Sequence, residues 1–192
     1  MKNKTDHPIH ALLGSRWSPY AFDPDRDVST EDLTSLFEAA RWTMSSYNEQ
    51  PWRFIVGVRS RDRPTWDQVF NVLVEGNQIW AKNAPVLVLG ILVQNFARNG
   101  KINTAAAHDL GAAAASLTFE ATARGLNVHQ MIGIDPEKAR ETFALPDSFE
   151  PLTALAIGYA GAPEAVDAAI ALRDARPRTR KPLQEIILRG GF

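Results

Sequence analysis

Pro85 opens an unbroken apolar run, Val-Leu-Val-Leu-Gly-Ile-Leu-Val over residues 86–93, with no polar residue at either alternate set of positions. A strand with one wet face alternates apolar and polar residues, so a continuous run reads as a strand buried on both faces. A sheet built around it needs cover on both sides. The flanking segments can supply that cover. Ser29 with Asp32 resembles a helix N-cap, and Leu33, Leu36, Phe37 and Ala40 follow helical spacing, which predicts a helix over about 30–42. Trp66, Val69, Phe70 and Leu73 mark a second helix ending near Gly76. The longest helix is expected over about 103–124, with Leu110, Ala113, Leu117 and Ala121 inward and Gly125 at the C-terminal cap.

Strand character recurs at 52–59, 127–134 and 152–158. Asp135-Pro136 carries the signature of a capped helix start. A short helix is expected from Glu164, and Gln184–Leu188 is read as a terminal strand. Helices and strands mix without strict βαβ alternation, which favours an α+β fold, a layered sandwich with a mainly antiparallel central sheet flanked by helices. A chain of 192 residues fits one domain, 1–192, with 1–10 flexible and 164–192 as a C-terminal extension. At this size roughly 70% of the unfolded surface is buried, so no staples are needed.

Composition excludes several function classes. There is no cysteine, hence no disulfide, thiolate metal site or cysteine nucleophile. The formal charge of −1 gives no global attraction to nucleic acid or anionic membrane. No run approaches the ~18 apolar residues of a membrane span, and the N-terminal residues lack the hydrophobic stretch of a secretory signal. The expectation is a cytoplasmic protein that engages neither nucleic acid nor membrane. The four histidines (His7, His10, His108, His129) form no recognised metal motif, and Gly-x-Ser-x-Gly, P-loop and Gly-x-Gly-x-x-Gly are absent. No catalytic residue and no metal ligand is assigned.

Chemistry concentrates elsewhere. Ser45-Ser46-Tyr47-Asn48-Glu49-Gln50-Pro51-Trp52 crowds Ser45, Ser46, Asn48 and Gln50 into one helix-to-strand connection. Hydroxyls and carboxamides donate and accept without charge, so the segment suits a polyfunctional, largely neutral ligand, or else a hydrogen-bonded turn. Arg173, Arg176, Arg178, Arg180 and Lys181 form a basic tail that reads either as a solvated segment or as a phosphate site.

Three segments together resemble the FMN-dependent nitroreductase family. Arg16-Trp17-Ser18-Pro19-Tyr20-Ala21-Phe22 is similar to its Arg-x-Ser-x-Arg-x-Phe motif, and the octapeptide is similar to Pro-Ser-x-x-Asn-x-Gln-Pro-Trp. Asp109-Leu110-Gly111, Gly125-Leu126 and Ile132-Gly133 supply the third, in register over about 10–190. The resemblance implies a nitroreductase-like sandwich forming a homodimer, its C-terminal extension reaching toward the partner, with FMN in interfacial clefts. By position, Arg16, Trp17, Ser18 and Tyr20 would border the cofactor, and Ser45, Ser46, Asn48 and Gln50 would bond its phosphate, ribityl chain and ring, some from the opposite subunit. Asn77 would contact the ring, Ile132 and Gly133 would lie near N5, and Arg178 and Arg180 would return to the phosphate.

The implied activity is transfer of hydride from NAD(P)H to FMN and reduction of nitroaromatic, quinone-like or related small acceptors by a ping-pong mechanism. The alternative is a flavin-binding or sensor protein of the same fold with weak turnover. Two departures favour it: Tyr20 stands where the family commonly has a second arginine, and Trp80 where some members carry a lysine. Thr43-Met44 also replaces the usual Ala-Pro before the serines. Binding of nucleic acid through the basic tail is the remaining reading.

Overall fold

The computed structural model describes residues 5–190, so part of the 1–10 segment lies outside the described residues. Its centre is a four-stranded sheet of β1 (Trp52–Val58), β2 (Val86–Val93), β3 (Asn127–Met131) and β4 (Phe149–Gly158). The order is β1-β2-β4-β3 and every pairing is antiparallel. The apolar run 86–93 is thus an inner strand, and its two sets of side chains enter two different cores. Val86, Val88 and Leu92 pack with Leu155, Ile157 and Val128 beneath α2 (Thr30–Arg41) and α5 (Ala106–Ala123). Leu87, Leu89 and Ile91 join Phe22, Val69, Trp66 and Trp80 on the opposite face, under α3 (Arg63–Asn71) and α4 (Glu75–Ala81). The result is a helix–sheet–helix sandwich, an α+β fold.

Local chemistry sets the element ends. Ser29 Oγ accepts the Asp32 N–H at the start of α2, 2.9 Å away. α5 ends with Gly125 at φ +75°, its N–H on the Thr122 carbonyl and the Leu126 N–H on that of Ala121. That double closure is a Schellman motif, in which a left-handed glycine satisfies the last carbonyls. Asp135 Oδ1 accepts the Lys138 N–H to start α6 (Pro136–Thr142), as the aspartate-proline pair predicts. α3 lies so close to β1 that a Cβ on Gly57 would stand 2.4 Å from Trp66 Cα.

Several expectations are corrected. The helix carrying Trp66 stops at Asn71, and a separate α4 contains Gly76. The break is imposed from outside: Val74 N–H bonds the Gly133 carbonyl and Asp135 N–H bonds that of Val72. The third strand ends at Met131, three residues early, because Gly133 leaves the sheet to make that contact. The long helix starts at Ala106, after a turn in which Asn103 Oδ1 accepts the Ala105 N–H. Gln184–Leu188 pairs with no strand. Pro182 opens a single helical turn there, α8 (Leu183–Ile186), preceded by α7 (Ala168–Asp174). Among the described residues no helix is long and apolar enough to cross a membrane.

Candidate functional site

The segment between α1 (Ala11–Ser15) and Phe22 is extended, and a bridge from the buried Phe22 to Ala160 anchors its end. Side chains two residues apart in such a segment share a side. Arg16 and Ser18 hydrogen-bond each other, Nη1 to Oγ at 3.0 Å. Both line a cleft of about 250 Å³ with Ala115, Thr118 and Phe119 of α5 and Val128 and Gln130 of β3. Tyr20 continues into an adjoining cleft of about 480 Å³ with Val74, Gly76, Asn77, Trp80, residues 129–133 and Arg173. Gln130 borders both, fixed by Nε2 donating to the Ala114 carbonyl (3.0 Å) and Thr118 Oγ1 (2.8 Å). The larger cleft has a volume typical of small-molecule sites, and the smaller one extends it.

The two ends differ in chemistry. Arg16 lines the smaller cleft, and Arg178 and Arg180 stand close enough to it for the three guanidiniums to repel one another. Burial first, and Arg180 second, push Arg16 below the usual arginine value; burial, Arg16 and Arg180 do the same to Arg178. Guanidinium keeps its proton in proteins, so the repulsion leaves a concentrated positive charge suited to an anion. Arg178 Nη1 donates to the Arg16 carbonyl at 3.0 Å, and its guanidinium carbon lies 5.5 Å from the Trp17 ring centroid. That tail therefore folds back onto the 16–22 segment.

The larger cleft is amide and aromatic. Asn77 Nδ2 donates to the Gly133 carbonyl at 2.9 Å, and a Cβ at 133 would stand 2.5 Å from that nitrogen. A side chain at 133 would have to displace the Asn77 carboxamide and the Val74 methyl. Ile132 next to it is 83% exposed and lines the cleft. Trp80 is fully buried, so it serves both as core and as cleft wall. It stacks on His129 at 4.4 Å, and Tyr20 meets both rings edge-on, at 5.3 and 4.7 Å. His129 Nδ1 is 2.8 Å from the Pro19 carbonyl, which can only accept, so Nδ1 carries the hydrogen and the neutral ring keeps Nε2 as an acceptor. Burial pushes its pKa below 6.5, opposed by the Pro19 bond and by Asp174.

The octapeptide lies elsewhere on the chain. Thr43 Oγ1 meets Ser116 Oγ at 2.7 Å, and the buried Asp109 carboxylate accepts the Ser46 N–H at 3.0 Å. Asp109 and Ser116, about two turns apart, present one face of α5 to the loop, while Ala115, Thr118 and Phe119 line the cleft from another. Ser45 Oγ accepts the Gln50 N–H, and the Gln50 amide folds onto the Asn48 carbonyl at 2.9 Å. Tyr47, Asn48 and Gln50 have φ of 54°, 55° and 52°. Three non-glycine residues in the left-handed region of one loop are strained, a condition found where function demands a fixed shape.

The residues singled out from sequence thus fall into two groups. Arg16, Ser18, Tyr20, Asn77, Ile132 and Gly133 line the clefts, Trp17, Arg178 and Arg180 adjoin them through Arg16 and the 16–22 segment, and Ser45, Ser46, Asn48 and Gln50 line neither. Sequence reasoning did not assign His129, Gln130 or Arg173 to the cleft. The first two lie on β3, separated from Ile132-Gly133 only by Met131, the one local signal available. Arg173 reads from sequence only as part of the basic tail, and its place in the larger cleft against Tyr20, reached from α7, has no local signal. Among the described residues, no group of three His, Asp or Glu side chains could hold a metal ion.

A three-layer sandwich with a cation-ended cleft beside one edge of its antiparallel sheet defines a small-molecule-binding scaffold of the nitroreductase fold. Solved structures share it: an oxidoreductase containing FMN superposes with a TM-score of 0.90 at 33% identity, over 99% of this chain and 96% of that one. A Desulfovibrio desulfuricans protein described as a nitroreductase in complex with FMN gives 0.73 at 25%, over 98% and 99%. The Nitroreductase family profile matches residues 13–64 and 57–159. The chain belongs to that family. Among curated proteins it is 36% identical to a 15.4 kDa protein of the ask 5′ region of Mycolicibacterium smegmatis, over 72% of this chain and 95% of the relative. It is 29% identical to the major NAD(P)H-flavin oxidoreductase of Aliivibrio fischeri, over 94% and 98%.

Proposed function

We propose that this nitroreductase-family oxidoreductase uses FMN as its cofactor and NAD(P)H as its donor, and passes two electrons to nitroaromatic or quinone-like acceptors by a ping-pong cycle. The observation that carries the reading is the paired cleft, with guanidiniums at one end and an amide, apolar and aromatic wall at the other. The donor set fits a phosphate joined through a polyol to a flat heterocycle. Arg16, Ser18, Arg178 and Arg180 would hold the phosphate, Gln130 the middle, and Asn77 with Ile132-Gly133 the ring. Bound FMN would supply the hydride chemistry. The chain's own residues bind it, orient it and leave one face of the cleft open to donor and acceptor in turn.

The loop 45–50 enters this reading through a second copy of the chain. α5 is apolar nearly all round yet leaves Ala107 and Gly111 exposed and Ala112 and Ala115 half-exposed. A helix apolar on every side belongs in an interior. Trp42, Met44 and Tyr47 are each at least 74% exposed on the same connection as the loop. A two-fold homodimer would cover these surfaces and bring the strained loop of one protomer to the cleft of its partner. The C-terminal extension would lie against that partner.

The test is the visible spectrum of the purified protein. A yellow preparation that releases FMN, and bleaches anaerobically with NADH or NADPH, is expected. A protein that stays colourless after reconstitution with FMN would refute the reading. One that binds FMN without being reduced by either nucleotide would instead favour the sensor reading, which Tyr20 and the fully buried Trp80 motivate.

A further inference from the structure

Tyr20 occupies the cleft position at which the family motif carries an arginine, yet the cleft is not left without a cation. Arg173 of α7 lines it, with Nη2 donating to Tyr20 Oη at 2.7 Å and its guanidinium carbon 4.5 Å from the Tyr20 ring centroid. The neighbouring Asp174 holds α7 in place. Its carboxylate accepts the backbone N–H groups of Tyr20 (2.9 and 3.0 Å) and Ala21 (3.0 Å), pinning the helix onto the 16–22 segment. Among the described residues no carboxylate lies within ion-pair distance of Arg173. The guanidinium is thus held by a neutral hydroxyl and an aromatic face, both of which leave its charge in place.

We propose that Arg173 is the redox-tuning cation of the larger cleft, delivered by the C-terminal extension and positioned by Tyr20. This rests on the FMN reading above. Two electrons and one proton added to the neutral oxidised ring leave it with one negative charge. A cation lining the ring's cleft therefore stabilises the reduced cofactor more than the oxidised one, and raises its midpoint potential. Exposure of Arg173 to water keeps the effect moderate. The division of labour follows from position: Arg16, Arg178 and Arg180 set how tightly the phosphate end is held, whereas Arg173 sets which redox state is favoured.

The experiment compares wild type, Arg173→Gln, Arg173→Lys and Tyr20→Phe. It measures the dissociation constant of oxidised FMN from apoprotein by fluorescence, and the midpoint potential by dithionite titration with reference dyes. Arg173→Gln is expected to change oxidised-FMN affinity less than threefold while weakening reduced-FMN binding about tenfold, which lowers the two-electron midpoint by about 30 mV. Arg173→Lys retains the charge and should stay near wild type. Tyr20→Phe keeps the ring packing but frees the guanidinium, and should shift the potential in the same direction by less. An Arg173→Gln potential equal to wild type with FMN bound, or an equal shift in Arg173→Lys, would overturn the assignment. Failure of wild-type protein to bind FMN would instead remove the reading on which it rests.

Discussion

His129 shows how one residue can join stability to the site. Its ring is enclosed by Trp80 and Tyr20 and its Nδ1–H is committed to the Pro19 carbonyl. Burial, the largest influence, holds its folded pKa below 6.5, the ordinary value that the unfolded chain retains. Between those two values the unfolded state binds more protons, so stability rises with pH there. The contribution is complete above pH 6.5 and is lost as pH falls through the folded value. Urea denaturation of the apoprotein at pH 7.5, 6.0 and 5.0 should show the decline, and His129→Gln, which can still donate to Pro19 but does not titrate, should flatten it. An unchanged slope would assign the pH dependence to other groups. Gly133 makes the complementary point: its role comes from the side chain of Asn77 pressed against it, a partner 56 residues away.

Elements, in turn, are placed by contacts their own sequences only partly encode. The spacing of Leu33, Leu36 and Ala40, or of Leu110, Ala113, Leu117 and Ala121, announces helices whose inward residues are indeed buried. By contrast, the gap between α3 and α4 exists because Gly133 and Val72 take hydrogen bonds across it. Gly57 decides how closely α3 approaches β1, since a methyl there would penetrate the backbone of Thr65 and Trp66. Gly57→Ala is therefore expected to cost at least about 1–3 kcal/mol, the usual penalty for overpacking, with the m-value unchanged. Equilibrium urea unfolding measures it, and a loss below about 0.5 kcal/mol would mean that α3 can move away freely. At the other end of the chain, α7 is held by Ile170 buried in the core and by one carboxylate. Asp174 ties it to Tyr20 and Ala21, and thereby brings Arg173 to the cleft.

For the whole molecule, the separation of the 45–50 loop from the clefts is the organising fact. If each FMN site draws its cleft from one protomer and its loop from the other, two binding-defective chains can repair each other. Arg16→Ala and Asn48→Ala homodimers should both bind FMN weakly. Mixed dimers, purified by two different tags, carry both defects in one site and none in the other, and should hold about one tightly bound FMN per dimer. Fluorescence titration checks this, with sedimentation confirming the dimer. Mixed dimers that bind no better than their parents would place loop and cleft contributions within the same subunit.

Periodicity and local chemistry were sufficient for most of the architecture. The unbroken run 86–93 demanded a strand covered on both faces, and caps at Ser29, Gly125 and Asp135 marked helix ends, because these features act over a few residues. The family resemblance assigned Arg16, Ser18, Asn77, Ile132 and Gly133 to a cofactor site, and each of them lines one of the two clefts. The terminal helical turn, the α3–α4 break and the early end of β3 escaped, since each depends on a partner distant in the chain. Arg173 and His129 escaped for the same reason. The amino-acid order by itself determined the layers, the family motifs and the polar character of the 45–50 loop, whereas its left-handed backbone came only with the structure. Only the tertiary structure decided which cation meets Tyr20, because that contact joins residues 153 positions apart.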